Sequence, residues 1–251
     1  MMMNPAEFAN IAAAEQRMWW YRGMRRILFS VLDPWLRGRQ VRRVLEAGCG
    51  TGYFARVLAQ ERGWTVYPSD VAWEGLSIGR GMGLERLSQG DLRALPFRSG
   101  AFDIVSAVDV LEHFAPGEED RPLSELARVL SPGGLLVLRT PALEALRSRH
   151  SEYVLERQRF TRGRLLRAIR ECGIRVHRCT YASFLLFPVA LLKFRLWEPL
   201  LGSPPASGVK PVAGWLDSLL YSCLWAESAW LGRGLNFPAG QTLIVIGEKS
   251  A

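Results

Sequence analysis

The sequence predicts an α/β protein built on a doubly wound, mainly parallel sheet. Apolar segments with strand character alternate with helical segments, near residues 42–47, 65–69, 85–89, 102–108 and 134–139. A glycine-rich turn, GCGTG at residues 48–52, follows the first of these segments, and such a turn lets the backbone approach a ligand closely. The chain has 251 residues, of which 49% are hydrophobic, so it is long enough to bury a full core.

The N-terminal part of the chain predicts two helices. Asn4, Pro5 and Glu7 form a helix-start signature, and this first helix should run to about Met18. A second helix is expected after Gly23 and should end near Pro34. Residues 1–38 are therefore predicted to form a helical unit, a lid, ahead of the sheet.

The rest of the chain continues the alternation of helices and strands. Helices are expected at Tyr53–Arg62, Pro122–Leu130 and 161–172, and the tripeptide PGG at 132–134 should be a turn that enters a strand. Two further strands are predicted, IRVHRCTYA at 174–182 and QTLIVIG at 241–247. The predicted division is a core at 39–181, an apolar helical insertion at 182–240 with an exposed loop at 202–208, and a last core strand at 241–251.

Charge and cysteine content limit the class of protein. The formal charge of +8 suits a nucleic acid, an anionic membrane or an anionic substrate, but dispersed surface arginines explain it equally well. The four cysteines show no CxxC spacing, which favours a reducing compartment and predicts no metal site. The start has no signal-peptide pattern, and the longest apolar stretch, 184–192, is too short to span a bilayer. We expect a cytoplasmic protein, with a footing on the inner face of the membrane left open.

An acid precedes the glycine turn at the position where a dinucleotide site would receive a pyrophosphate. Glu46 lies two residues before Gly48, and Gly52 falls one position early for the dinucleotide pattern. Two unit charges about 4 Å apart interact by ~4 kcal/mol at an effective dielectric constant of roughly 20, so this carboxylate would repel a phosphate. S-adenosylmethionine carries an ammonium and a sulfonium group and no phosphate, so the same carboxylate would attract it.

Two more acids follow the next two strands. Asp70 ends the second strand, where a carboxylate can accept both ribose hydroxyls, and Asp91 follows the third, where it can accept the adenine amino group. Each acid taken alone is more often an ordinary loop residue. Acids at three successive strand ends predict an S-adenosylmethionine site.

Three segments together resemble the class I S-adenosylmethionine-dependent methyltransferases, in their small-molecule branch. They are VLEAGCGTGYF, GDLRALPFRSGAFDIVSAVDVLEHF and LSELARVLSPGGLLVLRTP, within residues 41–141. The opening EQRMWWYRGMRRIL, the segment beginning LRSRHSEYVLERQRFT and the closing FPAGQTLIVIGEK are similar to a WW-motif bacterial subgroup whose members often occur beside glycosyltransferase-like enzymes.

The resemblance implies a Rossmann-like sheet of seven strands in the order 3-2-1-4-5-7-6, with the last strand antiparallel. It implies cofactor contacts for Glu46, Gly48, Gly50, Asp70 and Asp91, and we extend these predicted contacts to the adjoining Cys49, Val71 and Leu92. The sequence departs from the family pattern at Pro68, and from the subgroup pattern at Ser151 and Glu156, which predicts a different acceptor.

The transferring site should lie at the end of the fourth strand, in VDVLEHF at 108–114. His113 is the candidate general base because an imidazole titrates near neutral pH, and the alternative is that it caps the following turn. Asp109 is predicted to contact the methionine ammonium or to cap the next turn. No metal is expected.

The aromatic-basic cluster Trp19–Arg22 precedes the nucleotide-binding fold. Tyr21 and Arg22 are predicted to fold over the cofactor, with Arg22 or Arg25 on its carboxylate, and the alternative is that the tryptophans pack the helix on the sheet. A second basic cluster fits either an anion site or a solvated helix; its members are His150, Arg147, Arg149, Arg157, Arg159 and Arg162.

The insertion at 182–240 is the expected source of specificity. Its aromatic content suits a hydrophobic acceptor, a membrane-surface footing or a homodimer interface, and the spacing of Trp215, Leu219, Leu220, Leu224 and Trp225 is also typical of core packing. The predicted function is methyl transfer to a small hydrophobic or lipid-linked metabolite, at oxygen first and nitrogen second. The alternatives are an S-adenosylmethionine-binding accessory protein of a membrane glycosyltransferase-type system, and a nucleic-acid methyltransferase. The last is disfavoured because VDVL stands where a (D/N)PP(Y/F) tetrapeptide would be expected.

Overall fold

The computed structural model describes residues 3–202 and 204–250. Within them the chain forms a seven-stranded sheet in the order β3-β2-β1-β4-β5-β7-β6, which confirms the predicted topology. Neighbouring strands are parallel except that β7 runs antiparallel to β5 and to β6. The strands are β1 Arg43–Ala47, β2 Thr65–Asp70, β3 Ser88–Gln89, β4 Phe102–Val108, β5 Leu130–Pro141, β6 Ile174–Ala182 and β7 Thr242–Lys249.

Helices cover both faces of the sheet and bury two apolar layers. The α-helices are α1 Pro5–Ala14, α2 Trp19–Leu36, α3 Tyr53–Arg62, α4 Trp73–Gly81, α5 Asp120–Val129, α6 Arg149–Tyr153, α7 Arg162–Glu171, α8 Phe187–Leu192, α9 Glu198–Leu201 and α10 Gly214–Gly232. Side chains of α5 and α7 lie in one layer, and those of α2, α3 and α10 lie in the other. Among the described residues, no helix is both long and apolar enough to cross a membrane.

The first helix begins at Pro5 after an Asn4 N-cap, as predicted, but its end and the start of the second helix differ from the prediction. The first helix ends at Ala14, not near Met18, and α2 begins at Trp19 and passes through Gly23. A Cβ atom at Gly23 would lie 2.4 Å from Leu224 Cδ1, so the glycine allows α10 to approach α2 closely. Gly23, which was predicted to precede the second helix, therefore lies inside α2 and packs against α10.

The predicted turn at PGG lies inside β5. Phe102 of β4 pairs with Leu130, whereas Ile104 pairs with Leu135, so residues 131–134 bulge out of the ladder. Gly133 supplies the positive φ of 74° that the bulge requires. Pairing then continues to Pro141 against β7.

The insertion joins the N-terminal helices instead of standing alone. Asp217 of α10 accepts hydrogen bonds from the Trp19 backbone N–H at 2.9 Å and from the Arg22 guanidinium at 3.3 Å. Buried Glu227 of α10 accepts the Leu185 N–H at 2.8 Å, which fixes the start of the segment before α8. We call residues 185–213 the cap. The predicted loop at 202–208 joins α9 to α10, and Ser203 within it lies outside the described residues.

Candidate active site

A cavity of about 1090 Å³ opens at the carboxyl ends of β1, β2 and β4. Residues of α1, α2 and the cap line its outer side. Ligands of open α/β sheets bind at this edge of the strands. All predicted site residues except Arg22 line the cavity; they are Tyr21, Glu46, Gly48, Cys49, Gly50, Asp70, Val71, Asp91, Leu92, Asp109 and His113.

The glycine turn keeps its backbone open toward the cavity. Gly48 has φ of 74°, and a Cβ atom there would lie 2.4 Å from Val110 Cγ2, so no other residue fits. The N–H groups of Gly48 and Cys49 both donate to the Ser69 carbonyl, at 2.8 and 3.0 Å. These bonds tie the turn to β2 and bring the ends of β1 and β2 together.

Glu46 lies buried beneath this turn, with 3% of its surface exposed. Its Oε2 has no hydrogen-bond partner among the described residues. Burial raises the pKa of Glu46 well above its ordinary value, and the nearby Glu15 and Asp70 carboxylates add to the rise. The site therefore holds an acceptor oxygen that is ready for a donor.

Asp70 closes the turn from the side of β2. One carboxylate oxygen accepts the Gly50 N–H and the other accepts the Ala72 N–H, each at 2.8 Å. Burial raises the pKa of Asp70, and these backbone donors oppose the rise. The neighbouring Val71 is exposed into the cavity.

Asp91 lines the cavity beside its own counter-ion. Arg93 binds the Asp91 carboxylate with Nη2 at 2.6 Å and Nε at 3.1 Å, and this hydrogen bonding lowers the pKa of Asp91. The adenine contact predicted for Asp91 stays a prediction. Leu92 is buried next to it and offers an apolar wall.

Asp109 at the end of β4 pairs with Arg139 of β5, a residue that sequence reasoning missed. Arg139 Nε donates to both Asp109 oxygens at 3.1 Å, and the arginine is almost fully buried. Asp109 has a positive φ of 53°, which an aspartate tolerates better than most residues. The signal that could have found Arg139 is the single charge in the buried strand LLVLRTP.

His113 ends a short 3₁₀ turn, Leu111–His113, that follows β4. Its Nδ1 is buried and has no hydrogen-bond partner among the described residues. Burial lowers the pKa of His113, and the Leu155 carbonyl opposes this by favouring a ring N–H. The imidazole is therefore neutral at neutral pH and can accept a proton.

The N-terminal helices bring two unpredicted acids to the cavity. Glu7 of α1 is fully buried and accepts hydrogen bonds from Asn10 at 2.7 Å and Ser207 at 2.9 Å. Glu15, just after α1, accepts the Thr51 hydroxyl at 2.6 Å, and burial raises its pKa to about 7. Glu7 belongs to the helix-start signature and Glu15 opens the segment EQRMWWYRGMRRIL, but neither was predicted to reach the site.

Arg22 lies away from the cavity. Its guanidinium stacks 4.1 Å from the centre of the Tyr221 ring and pairs with Asp217, so it holds α2 to α10. Arg25, the alternative named from sequence, lines the cavity, as does Tyr21. Burial raises the pKa of Tyr21, so its hydroxyl stays protonated and can donate.

The second basic cluster is largely paired with acids. Arg159 donates to Glu156 at 2.7 Å and to the Ser151 hydroxyl at 3.1 Å. Arg147 forms a salt bridge with Glu144. The Arg157 guanidinium lies 3.6 Å from the Glu118 carboxylate. The two residues that depart from the subgroup pattern, Ser151 and Glu156, thus hold the same arginine. Of this cluster, His150, Arg149 and Arg159 line the cavity.

The buried acidic side chains at the site fit S-adenosylmethionine and not a dinucleotide. Buried carboxylates flank the glycine turn, and one of their oxygens, Glu46 Oε2, lacks a donor. A diphosphate would bring negative charge against them, whereas a cation relieves them. In the described part of the chain, no three His, Cys, Asp or Glu side chains are grouped as a metal site would need.

The fold and the site are similar to those of the class I S-adenosylmethionine-dependent methyltransferases. Residues 45–138 match the family described as "Methyltransferase domain". The WW-motif subgroup stays a prediction.

Curated relatives match less than half of the chain. The Thermus thermophilus demethylmenaquinone methyltransferase is 40% identical over 103 residues, which is 39% of this chain and 46% of that protein. The Xanthomonas oryzae ubiquinone biosynthesis O-methyltransferase is 35% identical over 122 residues, 45% of this chain and 50% of that protein. The Mus musculus "Probable tRNA methyltransferase 9B" is 35% identical over 102 residues, 40% of this chain and 22% of that protein. The matched segment thus spans half or less of each relative.

Solved structures share the fold over most of the chain. A chain from the complex between the Haloferax volcanii Trm112 methyltransferase activator and a methyltransferase has a TM-score of 0.60 at 20% identity, covering 98% of both chains. The Haemonchus contortus phosphoethanolamine N-methyltransferase 2 in complex with S-adenosyl-L-methionine has a TM-score of 0.58 at 18% identity, covering 89% of this chain and 52% of that one. At these identities the likeness is one of fold.

Proposed function

We propose that the protein is an S-adenosylmethionine-dependent methyltransferase that acts on an oxygen atom of a small hydrophobic or lipid-linked acceptor. One observation carries the proposal: buried carboxylates of Glu46 and Asp70 flank the glycine turn inside a large cavity. Single-ligand sites span about 300–1,000 Å³, so a cavity of about 1090 Å³ has room for a cofactor and an acceptor together.

The chain's own residues bind and enclose the reactants. When bound, S-adenosylmethionine supplies an electrophilic methyl group for in-line displacement. Glu46, Asp70 and the open backbone at Gly48 and Gly50 hold it, and Tyr21 and Leu92 line the same space. The N-terminal helices and the cap cover the cavity and exclude water, which aligns the reactants and prevents hydrolysis.

His113 is proposed as the general base for an acceptor hydroxyl. Its burial keeps the ring neutral, the residue lines the cavity, and its Nδ1 has no hydrogen-bond partner among the described residues. The ring would take the hydroxyl proton as the acceptor oxygen forms its new bond. An amine acceptor would not need this base, so oxygen is favoured over nitrogen.

The cap supports an apolar acceptor. Its inner side lines the cavity with apolar residues, among them Leu186, Val189, Ala190, Phe194 and Val212. The two bacterial relatives named for demethylmenaquinone and ubiquinone biosynthesis suggest acceptors of this kind. The outer side of the cap is also apolar, with Leu200 85% and Trp197 67% exposed.

We propose that this outer side rests on an anionic membrane surface. Arg195, which does not line the cavity, lies on the same helical segment as exposed Trp197, and the chain carries a net charge of +8. Apolar and basic residues together are typical of a helix that lies in a membrane interface. A lipid-linked acceptor could then enter the cavity from the bilayer.

Calorimetry with purified protein tests the cofactor. S-adenosylmethionine and S-adenosylhomocysteine should bind, and NAD should not. Asp70→Ala should weaken both by about 10- to 100-fold, because it removes an acceptor that also holds the turn. Failure of the wild-type protein to bind either ligand would reject the proposal.

Turnover tests the acceptor. Polyprenylated phenols should be methylated in preference to their unprenylated analogues and to tRNA, and His113→Ala should lower turnover by about 100-fold or more while cofactor affinity is kept. Unchanged turnover in His113→Ala would remove the base role. Tight cofactor binding without turnover on any acceptor would favour the accessory-protein alternative.

A further inference from the structure

Glu15 is a buried acid from outside the nucleotide-binding fold that reaches the glycine turn. It follows the last residue of α1 and is only 6% exposed. Its Oε2 accepts the hydroxyl of Thr51, in the middle of the turn, at 2.6 Å. Its Oε1 is buried at the cavity wall and has no hydrogen-bond partner among the described residues.

Glu15 and Glu46 are two buried acids that raise the energy of each other's charged form. The Glu15 charge raises the pKa of Glu46, so the two carboxylates repel each other across the turn. Each keeps one buried oxygen without a donor. An unsatisfied buried acceptor destabilises a folded protein, and more so when it is charged, so a ligand that brings a donor to this pair would be stabilised.

The other acids of the cavity do not share this problem. Glu7 is bonded to Asn10 and Ser207, Asp70 accepts two backbone N–H groups, and Asp109 pairs with Arg139. Glu15 from the N-terminal segment and Glu46 from β1 both line this cavity, and each has one buried carboxylate oxygen without a hydrogen-bond partner among the described residues. Their shared requirement is a group that carries positive charge and more than one hydrogen-bond donor.

We propose that Glu15 and Glu46 together bind the primary ammonium of S-adenosylmethionine and so fasten helix α1 over the bound cofactor. An ammonium offers three N–H donors and can satisfy both oxygens at once, whereas a sulfonium has no donor to give. This inference rests on the proposed function and adds to it a contact and a coupling. Cofactor binding and closure of the N-terminal segment become one event, since one ligand group bonds to both parts.

A ligand series separates the amino-acid end of the cofactor, which carries the ammonium and a carboxylate, from its adenosine end. S-adenosylmethionine has the ammonium and the sulfonium, S-adenosylhomocysteine has only the ammonium, and 5′-methylthioadenosine has neither. Calorimetry would compare wild-type protein with Glu15→Gln, and with Glu74→Gln as a control at an exposed acid outside the cavity. We expect Glu15→Gln to weaken the first two ligands by about 10- to 100-fold and the third by less than about 3-fold, since it removes one charge-assisted hydrogen bond.

The outcomes are distinct. A wild-type protein that binds none of the three ligands overturns the proposed function and this inference with it. A wild-type protein that binds all three, with Glu15→Gln weakening them equally or not at all, overturns only the ammonium contact. Loss confined to S-adenosylmethionine would assign Glu15 to the sulfonium and would also overturn it.

Proteolysis gives a second readout that does not depend on turnover. Arg17 lies exposed between α1 and α2, so trypsin can cleave there when α1 opens. S-adenosylhomocysteine should protect this bond in the wild-type protein and in Glu74→Gln, but not in Glu15→Gln, while 5′-methylthioadenosine should protect it in none. Equal protection by both ligands would contradict the coupling. Circular dichroism of each variant without ligand confirms that it is folded.

Discussion

Buried carboxylates dominate the chemistry at the scale of single residues. Burial raises the pKa values of Glu15, Glu46, Asp70 and Glu112 above their ordinary values, because a charged carboxyl loses its hydration there. A site that must attract a cation accepts this cost before the cation binds. Such strained charge is typical of functional sites.

Glu15 should therefore make the ligand-free protein less stable as the pH rises. Its pKa is near 4.5 in the unfolded chain and about 7 in the folded protein, so between these values the folded state keeps a proton that the unfolded state releases. The favourable contribution is complete below the lower value and is lost as the pH passes the higher one. Glu46 and Tyr21 are the titratable groups that Glu15 faces.

Thermal melts of Glu15→Gln and wild type measure this effect. The two melting temperatures should agree near about pH 5, and the variant should melt roughly 2–6 °C higher near about pH 8. Glu74→Gln should follow the wild type throughout. A constant difference across this range would show that Glu15 does not titrate as described.

Some of these residues were predictable from sequence and others were not. Glu46, Asp70 and Asp91 stand at strand ends, where the period of the fold places ligand-facing groups. Glu15 opens the segment EQRMWWYRGMRRIL and Arg139 lies in LLVLRTP, but neither was assigned to the site, because their roles depend on where a separate helix or a neighbouring strand packs. Arg22 was predicted to lie at the cofactor because of its place in the sequence. Its guanidinium instead pairs with Asp217 and stacks on Tyr221, both in α10.

At the scale of secondary-structure elements, the packing of α10 on α2 decides how the cavity is covered. Gly23 of α2 lies against Leu224 of α10, and buried Arg178 of β6 holds the end of α10 by donating to the Leu231 carbonyl at 2.8 Å. Hydrophobic spacing predicted α10, but the partner of its buried side was not readable from one sequence. The glycine was the only trace of the contact, and a lone glycine in a helix predicts a break as readily as a close approach.

Gly23→Ala should destabilise the protein although alanine is the better helix former. The new Cβ would lie 2.4 Å from Leu224 Cδ1 and 2.7 Å from its Cβ, so the helices must separate. We expect a net loss of about 1–3 kcal/mol, because overpacking outweighs a helix-propensity gain of ~1 kcal/mol. Gly163→Ala in α7 is the matched control, since nothing lies within 4 Å of its added Cβ. Chemical denaturation of both variants measures the difference, and equal effects would rule out the close packing.

At the scale of the whole molecule, the apolar outer side of the cap is the largest feature without a partner in the described structure. Exposed apolar residues outside the cavity lining continue from the cap into α10; they are Leu185, Leu192, Leu196, Trp197, Leu200, Leu201, Trp215 and Leu219. The order of the seven strands followed from the family resemblance, but this surface did not, because helical spacing alone does not tell an inward side from an outward one. The spacing of Trp215, Leu219, Leu220, Leu224 and Trp225 left core packing, a dimer interface and a membrane footing open. Leu224 is buried, whereas Trp215, Leu219 and Trp225 are exposed.

Vesicle flotation tests the membrane footing. The wild-type protein should float with vesicles that contain phosphatidylglycerol and less so with phosphatidylcholine alone, and added salt should weaken the binding. Replacing Trp197 and Leu200 together by serine should lower the partition coefficient by about 10-fold or more, because two exposed apolar anchors are lost. Trp73→Ser, at an exposed tryptophan outside the cap, should leave binding unchanged.

Two results would count against the membrane footing. One is equal flotation of the wild-type protein and the double-serine variant. The other is a wild-type dimer in light scattering that the double-serine variant converts to a monomer, because the apolar surface would then belong to a second copy of the chain.

The cavity wall draws on residues from Met3 to Thr242, and its cover joins α2 to α10. During translation, the glycine turn therefore leaves the ribosome long before the helix that completes its cover. A nascent chain that stops after β6 would contain the glycine turn and its flanking acids but would lack the cap and α10. Competence to hold the cofactor away from water thus arises late in synthesis, when α10 settles on a helix made some two hundred residues earlier.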